Sequence, residues 1–469
     1  MGFVLSILYF VTYYLTPETV FGPLGQYRIE LILAILIILV SLPSLGKSFL
    51  LKTPQSLALL GLAFGVIMSM LVTQHWAGGA LKTFLLFIPN AFGYFLICLH
   101  FKTKKRLQVL VLTLLFVCLF VIEHGALDMY RGGPGFGPVQ ARGNLFLDNW
   151  NEDHWSAEHP YTIFEGDAAG LSWIIRLKGL GEISDPNDFG QLTVSVIPLM
   201  FIFWRPKKTV LNIAFVILPV CVLIYGVYLT HSRGALLALI AMAVVFVQRR
   251  IGKIPSLLLA GALFAGAMAL NFTGGRGISA SSGLDRTALW GAGLQLLKSY
   301  PVFGVGLGKM PEYAGLTAHN SLVVCAAELG LVGLFFWCLY LFPTVRDALA
   351  VASPVNLSEG QQIIPEEGNY LQVARKVEVI DKAEVNRLGR LIVMSLTGFL
   401  VAGWFLSRSY VLTLFMLGGI VEVIYQMAID RGMIAPRWAL GRIMKYALGL
   451  EVCLVILIYI LIRFLNLAR

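Results

Sequence analysis

GYFLICLHFKTKKRLQVLVLTLLFVCLFVIE occupies residues 93–123. Two apolar runs flank one short basic stretch, FKTKKR at 101–106. The second run, 107–123, holds no charged residue before Glu123. That approaches the roughly 20 apolar residues a helix needs to cross a bilayer. Comparable runs recur near 1–16, 28–44, 55–73, 77–99, 189–204, 209–229, 232–248, 254–271, 319–342, 390–406, 410–428 and 445–464. The pattern predicts an all-α, polytopic integral membrane protein of 12 to 13 transmembrane helices. Composition agrees: 58% of the 469 residues are hydrophobic and 13% are charged, against roughly 25% charged in a soluble domain. The N-terminal MGFVLSILYFVTYYL lacks the basic start of a signal peptide and reads as a first span.

The net charge of +10 does not point to nucleic acid, because the basic residues form no continuous stripe. They gather in short loops: FKTKKR, RPKK (205–208) and QRRIGK (248–253). By the positive-inside rule these loops are cytoplasmic. Segments 124–188 and 272–318, and the turn THSRG (230–234), then face outward. The expected organisation is N-terminal helices over 1–123, an acidic extracytoplasmic loop over 124–188 and a core over 189–342. A cytoplasmic loop over 343–389 and C-terminal helices over 390–469 complete it. The acidic loop carries ten Asp or Glu and four Lys or Arg, with Trp150, Trp155 and Trp173 among them. Its aromatics suggest a lid or an acceptor platform. Segment 283–300 has leucines at helical spacing and Trp290, and reads as an amphipathic interfacial helix ended by Pro301.

Three chemically capable sites fall on the outward face. Arg233 stands at the mouth of one span and Arg286 in LDRTALW. A guanidinium is a fixed cation with a planar fork of donors suited to phosphate. Each alone is as readily a snorkelling or locally ion-paired arginine. His319-Asn320 opens the helix AHNSLVVCAAELGLVG (318–333). Neutral imidazole can take a proton near neutral pH. Glu328 lies nine residues on, about 13 Å along a continuous helix, either as a functional intramembrane group or as a packing anchor. Gly330 and Gly333 permit close helix contact there. The six cysteines lie in apolar stretches without a CxxC pair and read as small hydrophobes. No histidine shows metal-ligand spacing, and neither a metal nor a cofactor is expected.

Taken in order, these residues resemble the O-antigen ligase and polymerase family of bacterial envelopes. His319-Asn320, nine residues and Gly330-Leu331-Val332-Gly333 resemble its C-terminal signature. THSRGALLAL (230–239), DRTALWGAGLQLLKSYPVFGVGLG (285–308) and ISDPNDFGQL (183–192), with Asn187, are similar to its upstream segments. The resemblance covers roughly 183–340 and does not extend to the acidic loop. It implies glycan transfer from a polyprenyl-diphosphate-linked donor to an acceptor hydroxyl, on the outer face of the cytoplasmic membrane. The acceptor is glycan, lipid or protein. His319 would serve as the catalytic base, and Arg233, Arg286, Asn320 and Asn187 would bind substrate, without a metal. Ligase and polymerase both remain open. A secondary transporter of an anion or small solute is the reading from another class; its site would sit near the midplane, not on one face.

Overall fold

The computed structural model describes residues 1–17, 27–45, 52–132, 139–140, 159–166, 172–274, 280–353 and 382–467. The central acidic segment with Trp150 and Trp155, and 354–381 of the expected cytoplasmic loop, lie outside these. Five helices open the chain: α1 (Gly2–Leu15), α2 (Ile29–Leu45), α3 (Pro54–Met68), α4 (Ala77–His100) and α5 (Lys104–Gly132). A small antiparallel sheet follows, of β1 (Val139–Gln140), β2 (Thr162–Gly166) and β3 (Ser172–Leu177) in the order β1-β3-β2. Then come α6 (Pro186–Leu199), α7 (Thr209–Leu229), α8 (Arg233–Ile251), α9 (Lys253–Ala269), α10 (Ala280–Ser299) and the short α11 (Met310–Ala314). The last four are α12 (Ser321–Ala352), α13 (Lys382–Gly403), α14 (Leu412–Ile429) and α15 (Leu440–Leu467).

Among the described residues, eight helices are long and apolar enough to cross a membrane, and four shorter ones are similarly apolar. The protein is thus an all-α polytopic membrane protein, with the three short strands as a local addition. Several boundaries differ from the sequence reading. α12 continues to Ala352 and α13 begins at Lys382, because i to i−4 backbone bonding continues through polar residues at the helix ends. α5 likewise runs on to Gly132, into the acidic segment.

Local chemistry sets the helix starts. Thr53, Asp185 and Ser232 each accept a backbone N–H of the first turn, and Pro54 and Pro186 occupy first-turn positions that need no donor. The basic loops share one end of the bundle. There Lys104 meets Glu384 at 2.7 Å, and Arg387 donates to the carbonyl of Phe201 at 2.5 Å. The sheet, the 230–232 turn and the segments around 301–320 and 404–411 lie at the other end.

α12 is not one straight span. At Gly330 the backbone takes φ 64° and ψ −163°, a conformation essentially confined to glycine. The chain folds back there. Ser409 Oγ donates to the carbonyl of Ser321 at 2.5 Å, and Trp337 Nε1 donates to the carbonyl of Ser409 at 3.0 Å. Both arms of α12 therefore close on one residue. A broken helix exposes unpaired backbone groups; here the loop after Pro301 supplies partners. Val305 and Gly306 N–H donate to the carbonyls of Ala327 and Glu328, and Leu331 and Val332 N–H donate to the carbonyls of Pro301 and Val302. Glu328 lies in the first arm, two residues before the break, so the expected spacing of about 13 Å from His319 along the helix is kept, and the corner supplies its partners. Its carboxylate accepts the backbone N–H groups of Gly308 and Met310. Gly333 does make the expected close contact, facing Gly65 of α3.

A Cβ on Gly330 would lie 2.5 Å from the carbonyl oxygen of Val302. Gly330→Ala is therefore expected to cost at least the 1–3 kcal/mol typical of such backbone strain, read as a lower Tm in detergent. Gly261, in a helix with nothing within 4 Å of an added Cβ, serves as the comparison. Gly261→Ala should leave the Tm level or raise it. Equal Tm changes for the two would contradict the folded-back geometry.

Candidate active site

The site end is built around a loop that bears no motif. Residues 404–409, Trp-Phe-Leu-Ser-Arg-Ser, join α13 to α14 and hold the start of α12. The N–H of His319 donates to Ser407 Oγ at 2.9 Å. Ser321 Oγ donates to the carbonyl of Leu406 at 2.8 Å and accepts the N–H of Arg408 at 3.1 Å. Trp404 packs edge-on against Trp290 of α10, whose Nε1 donates to the carbonyl of Ala318 at 3.0 Å. Phe405 lies under the Arg286 guanidinium, 6.0 Å from ring to carbon, and its Cβ lies 3.4 Å from where a Cβ on Gly234 would sit.

This clamp holds His319 in a left-handed conformation, φ 47°, which is uncommon for a residue with a side chain. The turn directs the imidazole to the surface. Partial desolvation, then the positive charge of Arg286, push its pKa below the ordinary value, and Asp185 opposes them. The ring is thereby kept neutral, a proton acceptor, at neutral pH.

Arg286 and Arg233 converge beside it. Burial first, then the charge of Arg233, lowers the pKa of Arg286, so the two guanidiniums are close enough to repel. Arg233 also opens α8, where helix N–H groups point outward. Two cations at a helix N-terminus form a surface that an anion would stabilise.

Asn320 is fully buried. Its Oδ1 accepts the N–H groups of Leu322 and Val323, and its Nδ2 donates to the carbonyl of Trp404. Its side chain thus caps α12 and fastens it to the loop. Asn187 accepts from Arg176 at 3.1 Å, and buried Arg176 also donates to the carbonyl of Thr230 at 2.9 Å. Arg176 therefore ties β3 to both the DPND segment and the turn before Arg233. Asp188 pairs with Arg408. The side chain of Asp285, the expected ion-pair partner of Arg286, lies outside the described set.

A groove of about 640 Å³ opens between α12, α13 and α15. Trp337, Leu341, Phe399, Leu450 and Leu454 make most of its wall apolar. Asn320, Ser321 and Arg408 form one polar end, and Arg346 and Trp438 line it toward the basic side. Among the described residues no group of three or more His, Cys, Asp or Glu is disposed to hold a metal ion.

Sequence reasoning missed Ser407, Arg408 and Arg176. The first two stand in a short polar break between two spans, on the face that carries the other motifs, and that break was the available signal. Arg176 lies in a strand that helical periodicity does not reveal.

The fold is that of a multi-pass membrane protein, with Arg233, Arg286 and His319 gathered at one end of the bundle. Residues 218–338 match the family model described as O-antigen ligase. The match runs from α7 into the second arm of α12. It includes Arg233, Arg286, His319 and Gly330, and it ends before the 404–409 loop. No curated protein matches the chain.

The electrostatics make a reactivity prediction. Diethylpyrocarbonate acylates neutral imidazole, so modification of the His319 peptide, followed by mass spectrometry, should hold its rate from pH 7 to below about 6.5, the ordinary histidine pKa. Arg286→Gln removes a cation that disfavours imidazolium. It should move the fall in rate to higher pH. No movement, or movement to lower pH, would mean that Arg286 does not act on the ring.

Proposed function

We propose that the protein transfers a glycan from a polyprenyl diphosphate carrier to an acceptor hydroxyl, at the outward face of the bacterial cytoplasmic membrane. One observation carries this reading: the Asn320–Ser321 turn that sets His319 beside two arginines also forms the polar end of a long apolar groove. A lipid-linked diphosphate needs both surfaces at once, an apolar path for its tail and fixed cations for its head group. The basic loops at the opposite end of the bundle support an outward orientation.

In this reading the acceptor hydroxyl attacks the anomeric carbon of the donor sugar. The new bond forms from the acceptor oxygen as the bond from anomeric carbon to diphosphate oxygen breaks. His319 takes the hydroxyl proton. Arg233 and Arg286 stabilise the negative charge that gathers on the departing diphosphate. Because the guanidiniums supply that neutralisation, the transfer proceeds without a divalent metal. Asn320 acts through the backbone, by holding the turn that presents His319. Asn187 orients the Arg176 side chain that supports the Arg233 turn.

The test is transfer by purified protein in detergent, given lipid-linked donor and acceptor. His319→Ala should lower the rate by about 10²–10⁴-fold, the range typical of general base catalysis, while donor binding stays near the parent value. Activity should persist in excess EDTA. A monodisperse His319→Ala variant with near-normal turnover would remove the base from the mechanism, and activity that returns only with magnesium would remove the metal-free step. Deleting the gene separates the two members of the class: free polymer left on its carrier indicates a ligase, and single repeat units a polymerase.

A further inference from the structure

Arg408 is a site-end cation that neither the family match nor the motif pattern covers. Its side chain is half-buried, at 32% exposure, and pairs with Asp188, whose carboxylate is 6% exposed. Its backbone N–H is fastened to Ser321 Oγ. The buried pair is anchored on both sides, because Asp188 sits in the first turn of α6 beside the capping Asp185. Arg408 also lines the apolar groove together with Asn320 and Ser321. It therefore stands where the tail path meets the polar mouth. Arg286 stacks over Phe405 and lies near Arg233, and it does not line the groove.

A polyprenyl diphosphate has an inherent polarity along its length. The tail is bonded to one phosphate and the sugar to the other. A cation at the top of the tail path meets the first phosphate, and cations beside the base meet the second. We propose that Arg408 is a lipid-side phosphate-binding residue, which contacts the phosphate bonded to the polyprenyl chain while Arg233 and Arg286 hold the phosphate bonded to the sugar. This deepens the reading given under Proposed function and rests on it. Asp188 has a defined part: it stabilises Arg408 in its half-buried place before substrate arrives and fixes the direction of the fork. A guanidinium has five N–H donors, so the pair with Asp188 leaves donors for a phosphate.

The proposal separates two phosphates that transfer assays alone do not distinguish. Native mass spectrometry of the full-length protein, titrated with polyprenyl monophosphate and polyprenyl diphosphate, does distinguish them. The monophosphate carries the lipid-side phosphate alone. Arg408→Gln should weaken binding of both lipids about tenfold, as expected for loss of a charged hydrogen bond. Arg286→Gln should weaken diphosphate binding while leaving the monophosphate close to the parent value. Asp188→Asn should retain monophosphate binding. Leaving Asp188 buried without its partner can unfold the protein. The double variant Arg408→Gln/Asp188→Asn removes both charges together and should bind monophosphate as weakly as Arg408→Gln. Arg408→Lys keeps the charge, loses the fork and should fall between.

A monodisperse double variant that binds monophosphate as the parent does would overturn the assignment and leave Arg408 as a structural ion-pair partner. Phosphatidylglycerol competing as well as polyprenyl monophosphate would overturn it too, because the site would then read any phosphate head group. If the parent protein binds neither polyprenyl lipid, it is the proposed transfer that fails, and the two failures are told apart in one titration.

Discussion

Four backbone hydrogen bonds join residues 301–306 to residues 327–332, and the site end of the molecule depends on them. A helix cannot stop inside a membrane protein unless its freed N–H and C=O groups find partners. The loop after Pro301 provides those partners, and Gly330 allows the backbone conformation that the reversal demands. Once the chain has turned, the first arm of α12 no longer points through the bundle. It lies against the second arm, and its N-terminus meets the loop between α13 and α14. The position of His319 is thus decided eleven residues further along the chain.

The 404–409 loop is the second constraint. It holds the α12 start through serine hydroxyls and main-chain groups, and it touches α8 and α10 through Phe405 and Trp404. Three elements that carry Arg233, Arg286 and His319 are in this way referred to one short segment. Such a loop does not need charge at most of its positions to matter. Its contribution is the geometry of backbone groups, which fixes distances between side chains that belong to different helices.

Burial and charge then tune what geometry has assembled. Arg233 and Arg286 disfavour each other, and Arg286 disfavours protonation of His319. The repulsion between the two guanidiniums is one that a bound anion would relieve, and the histidine beside them is disfavoured as imidazolium.

Much of this was legible in the linear chain. The apolar runs and the basic loops are local properties, set by residues close together in the chain, and they suffice for an all-α membrane bundle. The candidate residues Arg233, Arg286 and His319 were legible as residue types in an ordered set of short motifs, because phosphate recognition and proton transfer restrict the choice of side chain. What the tertiary structure decided is where these residues meet. Gly330 looked like a packing glycine, since a GxxG spacing serves close helix contact as well as a turn. Glu328 looked like an intramembrane charge, and only the turn at Gly330 brings the 308–310 backbone to its carboxylate. Asn320 looked like a ligand-binding amide, and its cap is local, but its bond to Trp404 spans 84 residues. Ser407 and Arg408 carried no motif, because a hydroxyl that accepts one backbone N–H from 88 residues away leaves no periodicity in the sequence. Local pattern specifies which helices form. Hydrogen bonds between distant segments specify how one of them breaks, and the site is the product of that break.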